Sequence, residues 1–461
     1  MRTRAIKPIQ TAKNVENVLS STDEEQQPLS PVARMFHEPD SDVYIIIVIG
    51  FQTKINPEVM RAHFENTFLK HPRFSSLQAS SVPDEKYGGQ LKWVRTEVDL
   101  DNHVKFPTID PNMDFPDMYL EDYVSNLSKT KISVSIPMWD LHLLNIKTSN
   151  AESVGILRVH HSIGDGTSLL SLFMSFTRKA SDPDAFPTLP ISKKQTPCSS
   201  SGGLLQHFIK LFSVLLIYWN TLVDVVMLLI TIFFLDDTKT PLKGPLGVGS
   251  TPRRIVHRTV SLEDVKLVKN AMNATVNDVM VGVTQAALSR YLNRRYGKNK
   301  KDGGVAEGNS NLPKNIRLRA TSVVNLRPYL GNEVSTINLL EHSTLEALYT
   351  YFMAKTFLKL FGSKLARFPT QTTLYFSNVP GPQEEITFYG HQVAYIAPTC
   401  FGLPNALMIH VVSYAKKMNI ILSVDEEIVP DPHQLCDDLE ESLKLIKDAV
   451  IYKGLVDCPV Y

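Results

Sequence analysis

The sequence predicts an α/β protein of two similar-sized domains, and three observations lead there. β-branched runs of strand length alternate with amphipathic helical stretches in both halves. A Pro- and Ser-rich stretch, Ser181 to Gly203, and a Pro/Gly-rich one, Thr238 to Gly249, bracket an apolar block between the halves. The 461 residues, 43% hydrophobic and 21% charged, hold enough apolar material for a sizeable core. The expected division is a disordered tail over 1–27, a first domain over 28–180, a linker over 181–250 with an apolar helix at 211–235, and a second domain over 251–461.

Met1 to Gln27 is polar and lacks the apolar stretch of a secretory signal. Order is expected from Pro28-Leu29-Ser30-Pro31. Val43 to Phe51 is a β-branched strand run, too short to span a bilayer. Asn56-Pro57-Glu58 starts a helix that ends near His71-Pro72. Leu141 to Ile146 and Ser153 to His160 read as strands, and Gly166 to Lys179 as a helix. In the second half, Val276 to Tyr296 reads as a long helix, followed by a basic Gly-rich loop through Asn311. Strands are expected at Arg319 to Asn325, Thr372 to Ser377, Leu407 to Tyr414 and Asn419 to Val424. A last helix runs from Pro432 to Tyr452.

The formal net charge of +1 gives no bulk field for nucleic acid. The four cysteines, Cys198, Cys400, Cys436 and Cys458, are scattered, with no zinc spacing among them. They read as free thiols of a reducing compartment, and no metal site is expected.

The sharpest local feature is Arg158-Val159-His160-His161-Ser162-Ile163-Gly164-Asp165-Gly166. A β-branched strand delivers two adjacent histidines into a Gly-bracketed loop. Strand alternation sends them to opposite faces, so only one points into a given cavity. A neutral imidazole, with an ordinary pKa of ~6.5, is suited to accept a proton near neutral pH. Asp165 lies at the expected start of the next helix, where its carboxylate caps free N–H groups. The same pattern also suits a plain polar strand end followed by an N-cap.

His160-His161-Ser162-Ile163-Gly164-Asp165-Gly166 resembles the HHxxxDG signature of the coenzyme A-dependent acyltransferases. More narrowly, the chain is similar to the plant wax ester synthase/diacylglycerol acyltransferase family. Supporting segments are Pro28 to Pro31, Pro137-Met138-Trp139-Asp140, Val276-Asn277-Asp278-Val279, Val324-Asn325-Leu326-Arg327-Pro328 and Ser377-Asn378-Val379-Pro380-Gly381-Pro382. One departure is Met138, where the family more often has Leu.

The resemblance implies two coenzyme A-dependent acyltransferase-like domains with mixed sheets flanked by helices, joined by a linker with an apolar helix. It implies acyl-CoA as co-substrate without a further cofactor, and a fatty alcohol or diacylglycerol as acceptor. His161 becomes the catalytic base, with His160, Asp165 and Gly166 as motif and structural residues. Asn277 becomes a candidate for lining the site or meeting the oxyanion. Asp278 reads as half of a capping box with Thr275. No GxSxG nucleophile motif is present, so direct transfer is expected. Arg294, Arg295, Lys298, Lys300 and Lys301 form a basic set that reads as a solvated loop or as an attractor for coenzyme A phosphates or anionic lipid. Ser377 to Pro382 reads as structural or tunnel-lining, with backbone groups free to face substrate. The rival readings are a non-catalytic lipid-binding protein on the same fold and an acyltransferase acting on a soluble phenolic or amine acceptor, which the apolar block disfavours.

Leu211 to Leu235 is 25 residues, 17 of them Leu, Ile, Val or Phe. As a helix it extends ~37 Å, enough to cross a bilayer. One crossing would separate His161 from Asn277, which a site shared by both halves forbids. At ~100° per residue, Ser213, Asn220, Asp224 and Thr231 fall within about 20° of one line. The expectation is a helix lying on membrane lipid, at the cytosolic face of the endoplasmic reticulum or at the plasma membrane.

Overall fold

The computed structural model describes residues 29–30, 33–34, 36–37, 42–80, 91–189, 204–245, 251–298, 311–322 and 372–455. The expected tail over 1–27, most of the Pro/Ser-rich stretch, Lys300 and Lys301, and Asn325 to Pro328 lie outside them.

The strands, in chain order, are β1 (Tyr44–Phe51), β2 (Ser76–Ser80), β3 (Leu91–Arg95), β4 (Val104–Lys105), β5 (Trp139–Leu144), β6 (Ser153–His160) and β7 (Thr177–Lys179). They continue with β8 (Arg254–Ser261), β9 (Ala320–Ser322), β10 (Leu374–Val379), β11 (Ile386–Phe388), β12 (His391–Phe401), β13 (Leu407–Tyr414) and β14 (Lys417–Val424). The principal helices are α1 (Pro57–Asn66), α2 (Pro116–Ser128), α3 (Gly166–Ser175), α4 (Leu204–Phe233), α5 (Leu262–Ala271), α6 (Val276–Lys298) and α7 (Pro432–Tyr452).

Two mixed sheets result. The first runs β4-β5-β6-β1-β12-β11-β7 and the second β8-β14-β13-β10-β9. In the first, alternate residues Ile45, Ile49, Leu157 and Val159 pack with Met60 and Phe64 of α1 and Leu169 and Leu172 of α3. The second buries Leu407, Ile409 and Val411 against Val265 of α5, Met280 and Val283 of α6, and Leu435 and Leu439 of α7. A third cluster joins the sheets, with Tyr44, Ile46 and Tyr395 from the first meeting Ile255, Val412 and Ile421 from the second. These two-sided cores explain why the strands read as near-continuous apolar runs.

The sheets are not divided at residue 251. Strands β11 and β12 come from the C-terminal half but belong to the first sheet, where β12 pairs antiparallel with β1. Pro398 hides β12 in the sequence, because a proline speaks against a central strand. It is tolerated because β11 reaches only Gln392 and His391, which leaves the Pro398 end of β12 as a sheet edge. The helix expected to run to Lys179 stops at Ser175, and Thr177–Lys179 instead pairs with β11. Those last residues are drawn off by a strand roughly 200 positions away, which no local pattern shows.

The apolar block forms α4, whose surface is open. Phe212, Ile217, Tyr218, Trp219 and Leu222 are each more than half exposed. Ser213, Asn220 and Asp224 are exposed too, so these polar positions lie on the open surface of the helix. Just beyond α4, buried Asp237 accepts from the backbone N–H of Arg319 at 2.9 Å and the Thr373 hydroxyl at 2.6 Å. That contact ties the end of the apolar segment to the second sheet. Among the described residues, no helix is long and apolar enough to cross a membrane.

Candidate active site

Register places His160 opposite Tyr44, which in turn faces Phe401. Their rings form a row, edge-to-face from His160 to Tyr44 at 5.1 Å and stacked from Tyr44 to Phe401 at 5.3 Å. His160 is buried in a polar chain. Its Nε2 lies 3.3 Å from Asp42 Oδ1, and its Nδ1 lies 2.6 Å from Ser162 Oγ. Ser162 donates to Gln78 Oε1 at 2.6 Å, and His37 joins at the same oxygen. Burial alone raises the Asp42 carboxyl, but hydrogen bonds from His160 and Lys131 bring it down to about 2. Asp42 is thus a fixed anion beside His160.

His161 turns the other way, as strand alternation requires. Its backbone N–H donates to Val43 O at 2.8 Å, and its ring stacks on Phe36 with centroids 4.2 Å apart. Nδ1 is buried without a hydrogen-bond partner. Burial, with the neighbouring His160, pushes the imidazole down to about 4. The ring is therefore neutral throughout the neutral pH range, further from protonation than its ordinary value implies.

Asp165 caps α3, accepting from the Ser168 N–H at 2.8 Å. A Cβ on Gly166 would meet nothing within 4 Å, so the fold leaves open space there. Asp140, from the Pro137–Asp140 segment, binds Arg158 through two hydrogen bonds, one of them 3.1 Å. Arg158 also holds the backbone carbonyls of Leu127 and Thr130. Trp139 donates to Phe74 O at 2.8 Å, and Met138 O accepts the His160 N–H at 2.9 Å. This segment is scaffold for the histidine strand.

The other sequence candidates fall elsewhere. Asn277 is exposed in the first turn of α6 and accepts from Asn378 Nδ2 at 3.4 Å; its hydrogen bond leads to β10 and not to His161. Thr275 and Asp278 close the expected capping box at 2.9 and 3.1 Å. Arg294 pairs with Asp438, and Arg295 with Tyr291 and Asp431, so two of the basic set are committed within the fold. In the Pro380–Pro382 turn, the Gly381 N–H donates to Ser413 Oγ at 3.1 Å and Pro382 O accepts from Ala415 at 2.8 Å. A Cβ at Gly381 would stand 2.1 Å from Ser413 O. Those backbone groups are used internally, which corrects the reading of them as free to face substrate.

The structure adds three residues that the sequence reading did not single out. Phe36 covers His161. His410, on β13, contacts Thr399 Oγ1 at 3.1 Å and Cys400 Sγ at 3.6 Å. Asp42 fixes His160. A lone histidine inside an apolar strand carries no local signature. Only the edge position of β12 brings Thr399 and Cys400 to it.

The two mixed sheets thus place a neutral, ring-stacked histidine at the end of an interior strand of the first, an arrangement compatible with proton transfer at a two-domain transferase site. Comparison narrows this. Residues 29–280 match the wax ester synthase/diacylglycerol acyltransferase catalytic domain, and 332–447 match the WS/DGAT C-terminal domain. The chain is 41% identical to wax ester synthase/diacylglycerol acyltransferase 11 of Arabidopsis thaliana, over 95% of this chain and 98% of that one. It is 43% identical to number 4 of the same series, over 93% and 91%. In fold it is similar to the wax ester synthase/diacylglycerol acyltransferase of Marinobacter aquaeolei VT8, with a TM-score of 0.57 at 20% identity, covering 92% of this chain and 99% of that one. The chain belongs to the wax ester synthase/diacylglycerol acyltransferase family, and is an acyl-CoA-dependent O-acyltransferase.

Proposed function

We propose that the chain makes wax esters, moving a long-chain acyl group from coenzyme A to a long-chain alcohol with His161 as general base. The observation that carries this reading is the neutral His161 ring, fixed by Phe36 and the Val43 carbonyl. With Nδ1 enclosed, Nε2 is the nitrogen left to take the acceptor's proton. Asp165 and Gly166 shape the loop, and His160 with Asp42 holds the strand end. Asn277 remains a candidate for lining the path near Asn378.

The acceptor reading rests on α4. Its exposed Phe, Ile, Leu and Trp side chains suit an acyltransferase that draws its acceptor from lipid. The helix would lie on the cytosolic face of the endoplasmic reticulum membrane, the apolar side chains in lipid. Of the cations after it, Arg254 is engaged with Asp122 and Glu426, which leaves Lys239 exposed toward headgroups.

Diacylglycerol is the second acceptor, since it reaches the same surface. The test supplies hexadecanol and diacylglycerol in parallel to purified chain with acyl-CoA. A faster hexadecyl ester product supports the reading. Faster triacylglycerol makes diacylglycerol the principal acceptor, and no product from either returns the lipid-binding alternative.

A further inference from the structure

We propose that His410 is the oxyanion donor of the transfer reaction, presented by the second sheet toward His161. The proposal rests on the reading of His161 as the base.

Its position follows from register. His410 pairs with Ser377 of β10 and Ile421 of β14. Ile421 and Val412 on this face pack into the cluster that joins the two sheets, whereas Ile409 and Val411 point to the helices. His410 stands where that apolar packing gives out. Here β12 is a sheet edge, so β13 passes beside it, and Thr399 and Cys400, from opposite faces of β12, both reach the ring. The Cys400–Met408–Val43 cluster packs against Phe36, which stacks on His161, and Val43 O holds the His161 N–H. Both imidazoles border this one patch.

The hydrogen bonds accommodate the tautomer that the proposal requires. In that tautomer the Cys400 thiol donates its single proton to Met408 Sδ, 3.7 Å away. At the 3.6 Å contact its sulfur can then only accept, so Nε2 of His410 carries the hydrogen. Nδ1 is bare and takes the Thr399 hydroxyl proton at 3.1 Å. Burial, with the nearby His161, holds His410 at about 4, and burial keeps Cys400 a thiol at about 12. Two further titratable groups act on Cys400: Tyr375, a neutral phenol raised by burial to about 12, and the buried Arg253 guanidinium. His410 is therefore a neutral N–H donor whose present partner is a weak acceptor, readily replaced by a negatively charged oxygen.

In the reaction, the acceptor oxygen bonds to the thioester carbon while its proton passes to His161. The carbonyl electron pair moves onto oxygen, where the His410 Nε2–H donates to it. On collapse the C=O bond re-forms and the C–S bond breaks. His161 then returns its proton to the coenzyme A sulfur.

The test is steady-state kinetics with acyl-CoA and hexadecanol on the full chain, with acyl-CoA binding measured separately. His410→Ala should lower kcat by roughly 10²–10³-fold, the scale of losing one oxyanion donor, with acyl-CoA binding retained. His410→Gln, which keeps an N–H donor, should recover part of the loss. Thr399→Val leaves the ring in place but removes the hydroxyl that holds Nδ1 and aims Nε2–H, so kcat should fall while the melting temperature holds. This variant carries the test if His410→Ala does not fold. Asn277→Ala in the same assay weighs the other candidate donor. An active wild type with full kcat in His410→Ala, or with full kcat in Thr399→Val where the Ala variant does not fold, overturns the proposal and leaves the His161 reading standing. An equal loss in His410→Ala and His410→Gln, with lowered melting temperatures, makes the role structural and overturns it too. If wild type turns over but His161→Ala is equally active, the base assignment itself goes, and this proposal with it.

Discussion

The ring of Phe36 lies on the ring of His161, centroids 4.2 Å apart and planes 20° from parallel. This contact keeps water from one side of the imidazole and is part of why its pKa is near 4. The base should stay unprotonated until well below neutrality. The rate should be flat from pH 8 down to about 5 and fall only as pH nears 4. Phe36→Ala should admit water and move that acid limb up toward the ordinary ~6.5. His161→Ala should cost roughly 10²–10⁴-fold in rate. A wild-type limb already at 6.5 in the pH dependence of kcat/KM would show that the ring is solvated.

Asp165→Ala removes the cap of α3 and should cost about 0.5–2 kcal/mol of stability, whereas Asp165→Asn should keep most of it. Denaturant titration of both variants measures this. Activity of the folded Asn variant should remain a large part of wild type. A stable but inactive Asn variant would place the carboxylate in the reaction.

Asp140 and Arg158 form an almost fully buried ion pair. Asp140→Ala strands the guanidinium and should destabilise by about 3–5 kcal/mol. The midpoint of urea unfolding reads this directly. An unchanged midpoint would mean that the Leu127 and Thr130 carbonyls alone compensate the cation.

His161, His257 and His410 are all held near 4 by burial. Each has a folded pKa below its unfolded value, so the fold favours the neutral ring. Their stabilisation is complete above about pH 6.5 and is lost as pH falls toward 4. The melting temperature should decline over that window. His257→Phe, which retains the stack on Tyr395, should flatten the decline. An equally steep decline in that variant would assign the acid sensitivity to other groups.

Leu215 and Leu222 on α4 are 58% and 56% exposed. Replacing both with Lys puts charges into the face expected to meet lipid. The protein should shift from the membrane pellet to the supernatant on sedimentation with vesicles. If the doubly charged protein still pellets, another surface does the anchoring.

Much of the fold was legible because it is local. β1, β6 and β13 are apolar runs, α7 is strongly periodic and α6 opens on a capping box, and their expected bounds differ from the observed ones by a few residues at most. The opposite facing of His160 and His161 follows from strand geometry alone. Asp165 and the Thr275–Asp278 box were legible because capping needs only three or four consecutive residues.

The sequence by itself determined the α/β class, the histidine strand end with its capped helix, the apolar helix between the halves, and through its motifs the family. Tertiary structure alone decided that β12 joins the first sheet despite Pro398, that Thr177–Lys179 leaves its helix for β11, and that the Gly381 turn spends its backbone groups on β13. It also decided which side chains surround His161. Phe36 comes from 125 residues upstream of it, and His410, the nearest histidine of the second sheet, from 249 downstream. Propensity and capping act within a turn or two of the chain. Strand pairing and burial are settled by partners hundreds of residues away, so the depressed pKa of His161 exists only once the chain has closed around it.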